Sequence, residues 1–300
     1  MMNPPIFRPM LAIHAPKDLT KLPWPMLASP KLDGIRGIIQ DGVMYSRSLK
    51  KIPSEAAQQI ARRAPVAYNH FEGELMASDG HDPFSSVMTN GDLRPLSLNV
   101  FDTTEVSRRN SPYSARSAHL NMVKNLYPNP YITVIPQTLL FSADELKEYE
   151  ETTLANGHEG VVLRHPDSPY KYGRSTVKQS WMLKVVQFKT AEARVIDFRP
   201  LQQNNNAPAV SALGLTERGH SQGNKQTLDT LGAIVVEDLR TGHIFSIGTG
   251  FSEALRKQVW DYRSWFLHTI ITYKYKGFGQ KELPRQPVFI RFRNDVDMGM

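Results

Sequence analysis

The hexapeptide Lys31-Leu32-Asp33-Gly34-Ile35-Arg36 carries the sharpest local signal in the sequence. Its four fixed residues, Lys, Asp, Gly and Arg, coincide by chance on the order of 10⁻⁵ per position, or a few in 10³ over a chain of this length. Read chemically, Lys31 is a nucleophile. A lysine amine attacks an electrophile only when neutral, and with an ordinary pKa near 10.4 only about one in a thousand is neutral at pH 7.4. Nearby cations or desolvation raise that fraction. Read plainly, Lys31 is a surface lysine before a tight Asp-Gly turn. The segments downstream separate the two readings. Ser46-Arg47-Ser48 is followed by Phe71-Glu72-Gly73-Glu74-Leu75 and Asn99-Val100-Phe101-Asp102. Then come Glu159-Gly160-Val161-Val162-Leu163-Arg164, Tyr170-Lys171-Tyr172-Gly173-Arg174 and Trp181-Met182-Leu183-Lys184. Each is weak alone. In this order they supply a nucleophile, carboxylates for a metal and a ribose, a ring for a base and cations for phosphates.

Around these segments the first third reads as strands and hairpins, with Asp41-Gly42 as a hairpin turn. Ser54 to Ala64 reads as a serine-capped helix stopped by Pro65. Leu96 to Phe101 alternates like a strand, and Ser114 to Leu126 reads as a helix. Ser142-Ala-Asp-Glu145 is a capping box opening a helix that ends near Gly157. Gly160 to Leu163 and Trp181 to Val186 are buried-strand runs. After Phe188 the texture changes. Glu192 to Phe198 reads as a strand. Pro200 to Thr230 is polar and poor in core-forming residues, so it is expected to be a functional or mobile loop. Short strands follow at Gly232 to Val236, Ile244 to Ile247, Thr269 to Tyr275 and Val288 to Phe292, with one helix over Glu253 to Phe266. Five short strands and a helix point to a small β-barrel such as an OB-fold. The domain boundary falls near 187–191.

Length agrees with that division. Three hundred residues is twice a typical domain of roughly 150. The apolar set of 40% with 19 glycines belongs to a globular chain, and no Gly-X-Y period marks collagen. No apolar run approaches the roughly 18 residues of a membrane span. Met1 to Pro5 lack a signal peptide's basic start and apolar stretch, so a cytoplasmic location is expected, in the cytosol of a bacterial or virus-infected cell. The absence of cysteine excludes disulfides, thiol catalysis and cysteine zinc sites. The net charge of +7, from 36 basic and 29 acidic residues, is spread over both halves and suits an anionic partner such as nucleic acid.

On these segments the chain resembles the covalent nucleotidyltransferase superfamily of DNA ligases, RNA ligases and mRNA capping enzymes. Ser29 to Arg36 is similar to motif I, and the later segments follow motifs Ia, III, IIIa, IV and V in order. The resemblance is nearest to minimal ATP-dependent DNA ligases of viruses and phages, notably the chlorovirus type. Leu231 to Asp238 and Phe245 to Phe251 are similar to the OB domain of such ligases, in which a hairpin closes around the duplex as a latch. The resemblance implies an α+β fold. A nucleotidyltransferase domain of antiparallel sheets flanked by helices would occupy 1–188, and an OB-fold β-barrel 189–300, with the latch at 200–230. It implies ATP as AMP donor, Mg²⁺ or Mn²⁺, nicked double-stranded DNA as substrate, no membrane partner and a monomer. Carried over by motif, Lys31 attacks the ATP α-phosphate, with Ser29 and Pro30 beside it in the nucleotide site. Arg36 and Glu74 contact the ribose, and Phe101 stacks on adenine. Glu159 binds the metal, and Lys184 contacts the α-phosphate. Asp33 positions the nick 3′-hydroxyl. Arg47 grips the nick 5′-phosphate, with Lys171 and Arg174 adding phosphate contacts.

The chain departs from the family pattern twice. Val186 stands where the second lysine of motif V is usual, and Val296 replaces the lysine of motif VI in Arg293-Asn294-Asp295-Val296. Three alternatives remain at this level: a capping guanylyltransferase, an RNA ligase, or a nick-binding protein without catalysis. An NAD⁺-dependent ligase is disfavoured, because its four-cysteine zinc module has no counterpart here. The histidines show no close metal-ligand spacing. Trp260 and Trp265 are expected in the barrel packing. Arg62-Arg63 and Arg108-Arg109 fit either a phosphate backbone or a solvated surface.

Overall fold

The structure, a computed structural model, describes residues 7–77, 95–210, 216–219, 221–278 and 282–293. Asp295 and Val296 of the sixth motif lie outside these residues. The described residues form two compact units, one running to Val186 and including Val210, the other formed by the rest from Gln187 onward.

The first unit holds two five-stranded sheets. In one, β3 (Ile35–Gln40) pairs with β4 (Val43–Tyr45) through Asp41-Gly42. Both turn residues have positive φ, 51° and 73°, as a two-residue hairpin of native twist requires. β3 also pairs with β5 (Phe71–Ala77), which continues to β6 (Leu96–Thr103) and β7 (Ile132–Val134). The other sheet runs β1 (Ile13–His14), β10 (Met182–Val186), β9 (Gly160–Arg164), β2 (Met26–Pro30), β8 (Thr138–Leu140). The expectation of wholly antiparallel sheets is corrected, since β1 runs parallel to β10 and β6 parallel to β7. The second pair has a local cause. Parallel neighbours need a crossover, and the helix α2 (Tyr113–Leu126) between β6 and β7 supplies it.

Helix α1 (Glu55–Arg63) starts where Ser54 accepts the Ala57 amide and stops at Ala64 before Pro65. Its Ala57, Ile60 and Ala61 pack with Leu120 and Val123 of α2 onto Leu75, Leu98 and Val100 of the first sheet. Helix α3 (Ala143–Ala155) buries Leu146 against Val161 and Leu163 of the second sheet. Its capping box differs in one bond from the expected pattern. Ser142 accepts the Glu145 amide, but the Glu145 carboxylate accepts the amide of Phe141. A cap contributes about 1 kcal/mol and a fully buried Leu or Ile roughly 1.5–3, so the cores hold the unit together and the caps set its boundaries.

The second unit is built on an antiparallel sheet in the order β15 (Ile244–Ile247), β14 (Lys225–Asp238), β11 (Lys189–Asn204), β16 (Ile270–Tyr275), β17 (Val288–Phe292). Among the described residues the sheet is open, with β15 and β17 as its edges. Ala193, Val195, Ile234, Val236, Ile271 and Tyr273 form its core with Val259 of α4 (Glu253–Asp261). The single helix expected over 253–266 is two, because Tyr262 leaves helical geometry before α5 (Arg263–Phe266). Trp260 packs on the core as expected. Trp265 does not: it is 75% exposed and stacks on Tyr262.

The polar segment after Pro200 is no structureless loop where it is described. β11 and β14 continue as a two-stranded ribbon, pairing Leu201 with Leu228, Gln202 with Thr227, Gln203 with Gln226 and Asn204 with Lys225. Short strands β12 (Pro208–Val210) and β13 (Thr216–Arg218) pair beyond it. The apolar signal failed there because, among the described residues, the ribbon has no third strand and so no face to bury.

Candidate active site

Lys31 follows β2 directly. Its amide donates to the Gly160 carbonyl at 2.7 Å, and the Glu159 amide donates back to the Lys31 carbonyl at 3.2 Å. These bonds set the two side chains together, and Lys31 Nζ donates to Glu159 Oε2. The lysine side chain is 24% exposed and the glutamate 9%, so this ion pair is largely shielded from bulk water. Gly160 is dictated by the local geometry. Its φ is +150°, and a Cβ there would lie 2.2 Å from the Val185 carbonyl oxygen. Ser29 is buried on β2 opposite Val162, and Pro30 pairs with Val161. Lys184, on β10, pairs with Val162 on one side and His14 on the other. Lys31, Glu159 and Lys184 thus belong to one sheet and its rim.

Arg36, Glu74 and Phe101 come from the other sheet. Gly34 is needed because β3 begins against β5, where a Cβ would meet the Leu75 carbonyl oxygen at 2.3 Å. Arg36 pairs with Glu74 across the ladder, and Gly73 pairs with Val100. The next pair is Glu72 with Asp102, so Phe101 is the extra residue of a β-bulge. A bulge re-aims a side chain, and here the Arg36 guanidinium lies over the Phe101 ring at 5.1 Å. Burial pushes the Glu74 carboxyl up to about 7, against the opposing pull of Arg36, Lys31 and the Gly34 amide. Asp33 is exposed in the loop between Lys31 and Gly34, and its charge also raises Glu74. The two sheets therefore bring Lys31, Asp33, Arg36, Glu74, Phe101 and Glu159 into one neighbourhood.

The proposed phosphate contacts lie on exposed or half-buried loops. Arg47 is exposed on the turn after β4. Lys171 Nζ donates to Gln179 Oε1 at 2.7 Å, and Arg174 Nη1 donates to the Ala12 carbonyl at 2.8 Å.

A buried polar network behind the site was not read from the sequence. Arg36 Nη1 donates to the Met10 carbonyl at 2.8 Å and to Glu72 Oε2 at 3.2 Å. The Tyr170 hydroxyl donates to Glu72 Oε1 at 3.0 Å and accepts the Met10 amide at 3.1 Å. Burial pushes the Glu72 carboxyl up, with Arg36 opposing. Asp102 receives Arg116 through two bonds and Arg164 at 3.0 Å, and all three are buried. This last pair ties β6 of one sheet to β9 of the other. The available signal was Glu72-Gly-Glu74, because residues two apart on a strand share a face and two carboxylates on one face require cations.

Residues 9–185 match the ATP dependent DNA ligase domain family, and residues 222–293 match the DNA ligase OB-like domain family. The chain belongs to the ATP-dependent DNA ligase family. A DNA ligase of Haemophilus influenzae is 28% identical over 267 residues, spanning 88% of this chain and 85% of that protein. The crystal structure of Chlorella virus DNA ligase-adenylate is similar with a TM-score of 0.55 at 28% identity, covering 96% of this chain and 100% of that one. A Lig E DNA ligase structure is similar with a TM-score of 0.69 at 25% identity over 96% and 100% of the two chains. The ligase thus has the expected α+β architecture, a nucleotidyltransferase core followed by an OB-like domain, with mixed sheets and no closed barrel among the described residues. Membership makes ATP and DNA its substrates. Among the described residues no helix is long and apolar enough to cross a membrane.

Proposed function

We propose that this ligase, acting as a monomer, seals 3′-hydroxyl/5′-phosphate nicks in duplex DNA. The observation carrying the proposal is Lys31 Nζ held against Glu159, with Arg36, Glu74 and Phe101 supplied by the facing sheet. In the first step Lys31 Nζ attacks the ATP α-phosphorus. An N–P bond forms, the bond to pyrophosphate breaks, and lysyl-AMP remains. The attack requires the neutral amine, so the pair with Glu159 opens first. Phe101 stacks on adenine, while Arg36 and Glu74 hold the ribose. Ser29 and Pro30 line the nucleotide site, and Lys184 neutralises charge on the α-phosphate. In the second step an oxygen of the nick 5′-phosphate attacks the AMP phosphorus and releases Lys31. In the third, Asp33 positions the 3′-hydroxyl, which attacks the 5′-phosphate and expels AMP. Arg47, Lys171 and Arg174 hold the DNA phosphates. Such transfers depend on positioning and charge neutralisation more than on covalent help.

A divalent metal fits this donor set. No group of three or more His, Asp or Glu forms a cage among the described residues. Mg²⁺ typically takes one or two carboxylates and completes its shell with water and substrate phosphate, for which Glu159 beside Lys31 is suited. Mg²⁺ or Mn²⁺ bound there would supply neutralisation of phosphate charge. The finer domain reading follows the same lines: adenylation over 1–188, an OB-fold domain over 189–300, and the ribbon within 200–230 as a latch around the duplex. The work belongs in the cytosol.

The test is a 5′-labelled nicked duplex with Mg²⁺ and ATP, run beside Lys31→Ala. Sealing that needs both ATP and Lys31 is expected. Accumulation of AMP–DNA without sealing would locate a defect in the third step, where Val186 and Val296 replace the usual lysines. A Lys31→Ala variant that still seals would overturn the mechanism. Covalent labelling by GTP rather than ATP would replace it with capping chemistry.

A further inference from the structure

Arg108 and Arg109 are adjacent in sequence and differ in the structure. Arg108 Nε donates to Glu105 Oε2 at 2.7 Å, so its charge is compensated locally. Arg109 makes no ion pair with a carboxylate among the described residues, and its guanidinium lies over the Tyr172 ring at 3.9 Å. We propose that Arg109, seated on Tyr172, is a further DNA-phosphate contact of this ligase, working beside Lys171 and Arg174. The proposal rests on the nick-sealing reading.

Three observations carry it. First, the two segments are joined. The Tyr170 amide donates to the Arg109 carbonyl at 2.8 Å, and the Tyr172 ring meets Phe7 edge-on at 5.2 Å. Arg109 therefore moves with the loop that bears Lys171 and Arg174. Second, among the described residues that loop's cations bond to no carboxylate. Lys171 and Arg174 bond to neutral oxygens, of Gln179 and Ala12, so three positive charges share one small region without a described carboxylate among their partners. A polyanion with closely spaced charges meets such a strip, and duplex DNA carries one negative charge per roughly 1.7 Å. Third, the stack orients the donor. A guanidinium lying on a ring keeps its N–H fork in its own plane, ready for two phosphate oxygens, with less freedom left to lose on binding.

The experiment is nicked-duplex affinity of the full chain by fluorescence anisotropy across about 50–300 mM salt, with lysyl-adenylate formation from labelled ATP read in parallel. Arg109→Ala is expected to weaken binding about 5–10-fold near 100 mM salt and to lower the slope of log affinity against log salt by about one. Arg109→Lys keeps that slope. Arg108→Ala binds like the native chain. Tyr172→Phe keeps the ring and the affinity, whereas Tyr172→Ala weakens binding with the slope retained. An Arg109→Ala protein with native affinity and slope would overturn the proposal and reduce Arg109 to loop packing. So would normal DNA binding with failed adenylation, which would assign the cation to the nucleotide phosphates. A native chain that binds no nicked duplex would overturn the nick-sealing reading itself, an outcome separable from any loss confined to Arg109→Ala.

Discussion

At the scale of single residues, the site keeps carboxylates where burial opposes their charge. Glu74 is the clearest case, because its carboxyl is pushed up to about 7 by burial although Arg36 and Lys31 favour the anion. A carboxyl whose folded pKa exceeds its unfolded value, 4.5 here, stabilises the fold below 4.5 relative to high pH. That contribution is lost as pH rises through about 7. Glu74→Gln cannot ionise and should escape the loss. The expected outcome is a melting temperature near that of the native chain at pH 4 and progressively higher from pH 5 to 8. The difference in free energy should reach a ceiling of about 3 kcal/mol. Thermal melts of the two proteins across that range check it, and a constant difference would mean Glu74 does not titrate there. The same pressure explains Glu72, which is fully buried and holds its place through Arg36 and the Tyr170 hydroxyl.

At the scale of elements, the β9–β10 ladder adjoins the proposed catalytic rim, and Gly160 has no room there for a side chain. A side chain there meets the Val185 carbonyl at 2.2 Å and must also adopt a φ of +150°. Gly160→Ala is therefore expected to cost about 3 kcal/mol or more, by the combined backbone strain and displacement of β10. Its denaturant midpoint should fall accordingly, and adenylation should fail with it, because Glu159 is the preceding residue. A variant with the native midpoint would show that the ladder yields without loss. Elements of this kind were legible in the sequence because their signals are local. Ser54 announced α1, Asp41-Gly42 announced the β3–β4 turn, and Ile244 to Ile247 and Val288 to Phe292 read as the strands they are. What escaped is what long-range pairing decides. β1 beside β10 joins the two ends of the first unit, and Tyr170 reaches Glu72 across 98 residues. No window of sequence holds both partners. The same holds for Phe101. The motif proposes it for the site, but its re-aiming by a bulge depends on the register of β5 against β6.

At the scale of the whole molecule, the net charge of +7 is not carried by the proposed latch. Between Pro200 and Thr230, Arg218 and Lys225 are balanced by Glu217 and Asp229. Its described arms present amides, with Gln203 paired to Gln226 and Gln202 bonded to Thr227 at 2.7 Å. Hydrogen-bonding amides recognise base edges or groove shape, whereas cations recognise phosphates and release counterions. The ribbon also contributes little to the fold, because the second unit's core ends at Leu231 and Phe198, before the paired stretch from Leu201 to Leu228 begins. Replacing residues 202–227 by a two-residue Asn-Gly turn should therefore leave the melting temperature within about 2 °C of native. Nicked-duplex affinity should fall about tenfold or more at every salt concentration, while the salt slope changes by less than about one. Melting curves and a salt titration of the truncated chain read all three quantities. A slope reduced by two or more would mean that Arg218 and Lys225 grip phosphates and that the latch is electrostatic after all. Unchanged affinity would remove the latch reading and leave nick binding to the loops bearing Arg47, Lys171 and Arg174.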